Sequence, residues 1–297
     1  MRQFLKAFLV AALALATALT IPAQRAAAPA ARVEVPMRFI GTMPAVEVMV
    51  NGKGPFLFGI DTGAQGQARL DSAVAEKLGI KPAGDVQASD GSGRGPQRMQ
   101  MVRLESIELA GLRFSDVSAG SRNYKASPRS ATMDGIIGLQ LFAGYLVTLD
   151  FPGKVVRLDR GELPEADGKA ILDYKNEGGV PTVDLFVGAM RMSAHFDSGN
   201  SIGAFVLPMA LVEKLDLASE ATVVGKARSL SGDVEIRQAR LKESIRLGSH
   251  EFADPTITFP ALGEAANIGA KSLESFALTF DQRNNRLRLV RNDAGKK

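Results

Sequence analysis

The chain has 297 residues, 45% of them hydrophobic and 23% charged, a balance that fits a globular protein and excludes a disordered or collagen-like one. Its formal net charge of +4 comes from lysines and arginines scattered without a basic run or interleaved aromatics, which argues against nucleic-acid binding. Cysteine is absent, which excludes disulfides, iron–sulfur clusters, thiolate zinc sites and a cysteine nucleophile.

Arg2 and Lys6 precede an apolar run from Ala7 to Leu19, and no charge returns until Arg25. This pattern predicts a secretory signal peptide over residues 1–23, with Ile21-Pro22-Ala23 at the cleavage site. The alternative is a retained anchor, for which the run is short. Residues 24–32 read as a low-complexity spacer. Removing Arg2 and Lys6 from the 36 bases leaves 34 against 32 acids, a mature charge of +2. No cysteine is present for lipid attachment and no later segment is apolar enough to span a bilayer. The expected location is therefore periplasmic or extracellular, without stable membrane insertion.

From Pro44 the pattern turns to strands. Val46, Val48 and Val50 alternate with Glu47 and Met49, the period of a strand with one buried face. Asn51-Gly52 predicts a tight hairpin turn into an apolar strand over Phe56–Ile60. A short helix is expected over Ser72–Leu78, capped by Asp71 and stopped by Gly79. Strands follow on either side of an Ala110-Gly111 turn, and a last hairpin joins Leu146–Phe151 to Val155–Leu158 through Pro152-Gly153.

The second half then repeats the first. Pro44 to Val50 matches Pro181 to Val187, and Asp61-Thr62-Gly63 matches Asp197-Ser198-Gly199 at an offset of 136. Glu76-Lys77-Leu78 matches Glu213-Lys214-Leu215, and Glu105-Ser106-Ile107 matches Glu243-Ser244-Ile245. Ile137-Gly138 pairs with Ile268-Gly269, and Val147 to Asp150 with Leu278 to Asp281. Chance does not supply so many matches in order. The expected organisation is two similar, mainly β lobes, over residues 33–163 and 164–292, with a tail over 293–297. One duplication gives a pair rather than a solenoid.

A pseudo-twofold between such lobes brings equivalent residues together. The matched acids with chemistry to gain are Asp61 and Asp197. In each copy an apolar strand delivers Asp, a hydroxyl residue and Gly. The strand fixes the carboxylate, the hydroxyl of Thr62 or Ser198 holds the loop through hydrogen bonds, and Gly63 or Gly199 lets backbone approach a carboxylate closely. Two carboxyls that meet cannot both ionise freely and share one proton. One then serves as general base on water while the other hydrogen-bonds the carbonyl oxygen, without metal, cofactor or covalent intermediate.

Asp61-Thr62-Gly63-Ala64 resembles the active-site signature of pepsin-like and retropepsin-like aspartic peptidases. Asp134-Gly135-Ile136-Ile137-Gly138 resembles that family's second signature, and Leu139 to Leu158 its closing helix and hairpin in bacterial retropepsin-like proteins. In the second copy Asp197-Ser198-Gly199 and Asn267-Ile268-Gly269 stand in the same places. The resemblance covers roughly Val33 to Val290, as if two retropepsin-like β-barrel lobes were fused in one chain. It implies a bilobed acid-protease fold, an aspartic endopeptidase acting on polypeptide, and a monomer, since fusion removes the need to dimerise. It also implies glycine-rich flaps, with Gly91, Ser92 and Gly93 at one candidate tip and Ser231 and Gly232 at the other. The single flap of the pepsin branch usually carries a tyrosine, and none lies between Lys81 and Met101. Asn200 and Asn267 depart from the family pattern, so a catalytically weakened peptide-binding protein on the same fold is the alternative.

Three further motifs have plainer readings. Gly199-Asn200-Ser201-Ile202-Gly203 fits a serine-nucleophile elbow, with Asp233 and His250 following in hydrolase order, but that motif requires an alternating β–α chain. His195 reads as a packed or surface strand residue and His250 as structural. Neither forms a His-Glu-x-x-His zinc pattern.

Overall fold

A computed structural model describes residues 32–88, 97–126, 131–229, 232–261, 263 and 265–292. The predicted signal peptide, the spacer up to position 31 and the tail lie outside these residues. So do Gly91, Ser92, Gly93 and Ser231.

The first half contains β1 (Arg32–Pro36), β2 (Arg38–Ile40), β3 (Met43–Val50), β4 (Lys53–Asp61) and β5 (Ala68–Asp71). Helix α1 (Ser72–Lys77) follows, then β6 (Pro82–Ala88), β7 (Gln97–Leu109), β8 (Leu112–Arg122), β9 (Gly135–Gly138), β10 (Leu146–Asp150) and β11 (Val155–Asp159). Local chemistry explains most of these boundaries. Asn51 and Gly52 both take positive φ, 51° and 71°, the backbone of a two-residue hairpin whose twist suits the flanking strands. Asp71 caps α1 by accepting from Ala73 N at 3.0 Å, and Gly79 ends it at φ 68°. The closing helix expected after Gly138 is one 3-10 turn, Leu139–Phe142.

The second half holds β12 (Ile171–Asp173), β13 (Lys175–Glu177), β14 (Val180–Val187), β15 (Met190–Asp197), β16 (Phe205–Val206) and β17 (Thr222–Ser229). These are followed by β18 (Gly232–Arg240), β19 (Ile245–Leu247), β20 (His250–Phe252), β21 (Thr256–Pro260) and β22 (Ala266–Gly269). Helix α2 (Ala270–Leu273) then leads into β23 (Phe276–Asp281) and β24 (Arg286–Arg291).

The fold is mainly β and bilobed, with curled sheets. The first lobe's sheet runs β2-β3-β4-β9-β5-β8-β7-β6, and β3 also pairs with β7. The second sheet runs β17-β18-β21-β16-β22-β15-β14-β19-β20, with β13 on β14. Read from the opposite end, the orders correspond strand for strand, except that β7 and β8 are each broken in two in the second copy. Hairpins β6–β7 and β17–β18 flank the candidate flap tips.

A third sheet, β1-β11-β10-β23-β24-β12, joins the lobes. At its centre β10 and β23 pair antiparallel, so that Thr148 faces Thr279 with their hydroxyls 2.9 Å apart. These two are repeat equivalents, and equivalents meet only on a twofold axis. One continuous hydrophobic core runs through both lobes and this sheet. Phe58, Phe196, Phe259 and Phe280 are fully buried in it, each burial contributing about 1.5–3 kcal/mol.

Candidate active site

Strands β4 and β15 end side by side at the lobe junction, each delivering its Asp-hydroxyl-Gly loop. A ring of four hydrogen bonds locks the loops together. Thr62 N donates to Ser198 Oγ at 3.0 Å, and Ser198 N donates to Thr62 Oγ1 at 3.0 Å. Thr62 Oγ1 in turn donates to Phe196 O at 2.8 Å, and Ser198 Oγ to Ile60 O at 2.7 Å. Both hydroxyls are buried, so each spends its donor and an acceptor lone pair on the opposite lobe.

Behind each loop stands the strand of the second signature. Gly138 N donates to Gln67 O at 3.0 Å and Gly269 N to Ala204 O at 2.8 Å. A Cβ on Gly138 would lie 2.3 Å from Gly66 O, and one on Gly269 2.1 Å from Gly203 O. Only glycine admits the loop at that distance.

The two carboxyls are half-buried and within hydrogen-bonding reach of each other. Each accepts from the glycine of its own loop, Gly63 N to Asp61 Oδ1 at 2.9 Å and Gly199 N to Asp197 Oδ1 at 3.0 Å. Each glycine also lies against the opposite carboxyl. A Cβ on Gly63 would sit 2.5 Å from Asp197 Cγ, and one on Gly199 2.4 Å from Asp61 Cγ. Burial, and after it the charge of Asp197, push the Asp61 carboxyl up to about 8 from the usual 3.8, with Arg69 opposing the shift.

The environments of the two acids differ. Asn267 Nδ2 donates to Asp197 Oδ2 at 2.7 Å, and Asn200 Nδ2 donates to Asn267 Oδ1 at 2.7 Å. Asn200 is itself oriented by Ile202 N, which donates to its side-chain oxygen at 2.9 Å. The two residues that depart from the family pattern therefore bond each other and support one aspartate. On the other side the matched residue is Ile136, in a small apolar cluster with Ala64, Tyr124 and Met133. Strand period alone does not reveal this network, which joins segments 67 and 70 residues apart.

The remaining sequence candidates fall as follows. His195 is two residues before Asp197, so the strand period places it on the same face, 3.4 Å from Glu177 Oε2. His250 stacks edge-on against Phe276 at 4.9 Å. Ser201 is exposed in the loop between β15 and β16, and a strand rather than a helix follows it, so the nucleophile-elbow geometry is not formed. Gly232 begins β18 opposite Ser229. Among the described residues no group of three or more His, Cys, Asp or Glu is arranged to hold a metal ion.

Residues 46–141 match the aspartyl protease family. That segment runs from β3 into the 3-10 turn after β9, and so carries Asp61-Thr62-Gly63 and Gly135 to Gly138. The matched segment is similar to an aspartyl protease and covers less than half of the chain. No curated protein matches the chain. Among the described residues no helix is long and apolar enough to cross a membrane.

Proposed function

We propose that the chain is an exported aspartic endopeptidase of two fused retropepsin-like lobes, monomeric and periplasmic or secreted, with Asp61 and Asp197 as its catalytic pair. The observation that carries this reading is the meeting of two half-buried carboxyls from matched loops, each accepting from the glycine of its own loop and lying against the glycine of the other. The strand-for-strand order of the two sheets and the Thr148–Thr279 contact support the duplication.

Asn267 donates to Asp197 Oδ2 at 2.7 Å and holds that carboxyl in place. Burial and the charge of Asp197 raise the Asp61 carboxyl, and the single shared proton is assigned to Asp61. Asp197 takes a proton from water as the water oxygen attacks the peptide carbonyl carbon. Asp61 hydrogen-bonds the carbonyl oxygen and gives it its proton, so the tetrahedral intermediate is a neutral diol. Collapse breaks the C–N bond, with the proton on Asp197 passing to the leaving nitrogen and a diol proton returning to Asp61. Hairpins β6–β7 and β17–β18 fit the role of flaps over an extended peptide. The weakened-binder reading rests on Asn200 and Asn267, but Asn267 bonds Asp197 and Asn200 bonds Asn267, a support for the carboxyl that favours catalysis instead.

Cleavage of unfolded casein from acid to neutral pH tests the assignment, with Asp61→Asn and Asp197→Asn as controls. The expected result is hydrolysis by the wild type and loss of at least a thousandfold in each variant. Activity that survives both substitutions refutes the pair, and a wild type inactive at every pH favours the binder.

A further inference from the structure

Strand register places one more charged residue on the dyad's face. In the β4–β9 pair Asp61 stands opposite Gly138 and Gly59 opposite Ile136, while in the β5–β9 pair Ile136 stands opposite Arg69. Cross-strand partners point to the same side of a sheet, so Asp61, Ile136 and Arg69 share one face. Arg69 also stands opposite Gly120 of β8, whose missing side chain leaves room for Met99 of the flap-flanking strand β7. Its charge reaches Asp61, and its guanidinium is within hydrogen-bonding reach of the Tyr124 hydroxyl, a neutral partner that leaves the charge uncompensated.

Arg69 is half-buried, yet it forms no ion pair with any acid among the described residues, and its Nε is buried without a hydrogen-bond partner there. Arg98, Arg103, Arg113 and Arg157 each have a carboxylate partner. Of the other arginines of this lobe, Arg122 lies over the Tyr124 ring and Arg160 bonds Gly144 O and the Tyr145 hydroxyl, so both have partners without a carboxylate. A guanidinium drawn partly out of water against Ile136 and Tyr124, with no counter-ion, is unfavourable until an anion arrives. The dyad's charge is felt at this guanidinium, but neither Asp61 nor Asp197 forms an ion pair with it. In the second lobe Val206 stands opposite Asn267 as Arg69 does opposite Ile136, so no cation occupies the matched place.

We infer that Arg69 forms a carboxylate-binding subsite on the Asp61 side of the cleft, which selects peptides with an acidic group next to the reacting bond and fixes their direction. This rests on the peptidase reading for its location. The planar fork of arginine suits a carboxylate held by two parallel hydrogen bonds. Because the subsite exists in one lobe only, a peptide entering in reverse would set its acid against Val206.

The test uses peptides of about eight residues with a non-cleavable hydroxyethylene link at the centre, differing only by Glu or Gln at each flanking position. Parallel pairs end in a free acid or an amide, which separates a side-chain carboxylate from a chain terminus. Fluorescence anisotropy at pH 6 is expected to show about tenfold tighter binding of the acidic member at one position, as one charged hydrogen-bonded contact gives. That preference disappears below pH 4 as the acid protonates, disappears in Arg69→Met and largely returns in Arg69→Lys. A Glu-to-Gln ratio near one in the wild type at every position, with no acid-over-amide difference, overturns the inference. So does a ratio unchanged in Arg69→Met. Cleavable versions separate the two readings. Acid preference without hydrolysis removes the enzyme and keeps the subsite, whereas hydrolysis with an Arg69-independent ratio does the reverse.

Discussion

The side-chain amide of Asn267 donates to Asp197 Oδ2 at 2.7 Å, and the corresponding position beside Asp61 is filled by Ile136, which has no donor to offer. The two halves are thus chemically unequal at the point where they meet. An ionised Asp197 gains a charge-assisted hydrogen bond, and a protonated Asp61 gains an environment that does not oppose neutrality.

Replacing Asn267 by Ile, as in the first lobe, removes the amide that holds Asp197 Oδ2 at 2.7 Å. A hydrogen bond to a charged group is worth about 1.5–3 kcal/mol, which corresponds to a loss of roughly tenfold to a hundredfold in kcat/KM. Asn200→Ala, acting through Asn267, is expected to lose less. A kcat/KM unchanged in Asn267→Ile means that the amide does not position this carboxyl for the reaction.

Gly63→Ala and Gly199→Ala place a methyl group 2.5 Å and 2.4 Å from the opposite carboxyl carbon, well inside contact distance. The carboxyls must separate or rotate. Each variant is expected to lose at least a hundredfold in kcat, since small misplacements of reacting groups are that costly. Crystal structures of the variants, beside their kinetics, will show whether the carboxyls have moved apart.

Thr62→Val and Ser198→Ala each remove a hydroxyl and strand a buried N–H and a buried carbonyl of the other lobe. Each is expected to destabilise the fold by about 1–3 kcal/mol. The ring is broken by either change alone, so the double variant should lose less than the sum. Urea denaturation of the four proteins gives this coupling, and strict additivity would show that the bonds act independently.

Much of this arrangement is legible in the sequence because its signals are local. Asn51-Gly52 announces the turn into β4, Asp71 and Gly79 bracket α1, and repetition of Asp-hydroxyl-Gly singles out two acids among 32. The repeat even anticipates which residues meet across the axis. What escapes is pairing between distant segments. Nothing around Arg32 to Pro36 foretells that β1 extends the sheet joining the lobes, or that β12 closes its other edge. The amide chain from Asn200 to Asp197 is invisible for the same reason, and Asn267 reads as a departure until its partner is known. Arg69 could be placed on the face of Asp61 only once β5 and β9 were paired in register.

The raised Asp61 carboxyl makes stability depend on pH with a definite sign. Its usual value is 3.8 and its folded value about 8, so between these limits the folded chain binds more protons than the unfolded one. The contribution of this group to stability is fully present below about pH 4. It is lost as pH rises through the folded value, where forming a second charge beside Asp197 in a half-buried site becomes unavoidable. Asp61→Asn keeps a neutral side chain at every pH and escapes this loss. Its melting temperature relative to the wild type should therefore climb between pH 4 and 8, reaching about 3–6 °C at the upper end for a chain of this size once solvent screening is allowed for. Wild-type activity should fall over the same upper limb, because the pair there loses its one proton. Calorimetric scans of both proteins across this range check the point, and a melting-temperature difference that stays flat with pH would mean that Asp61 ionises near its usual value and that the carboxyls do not share a proton.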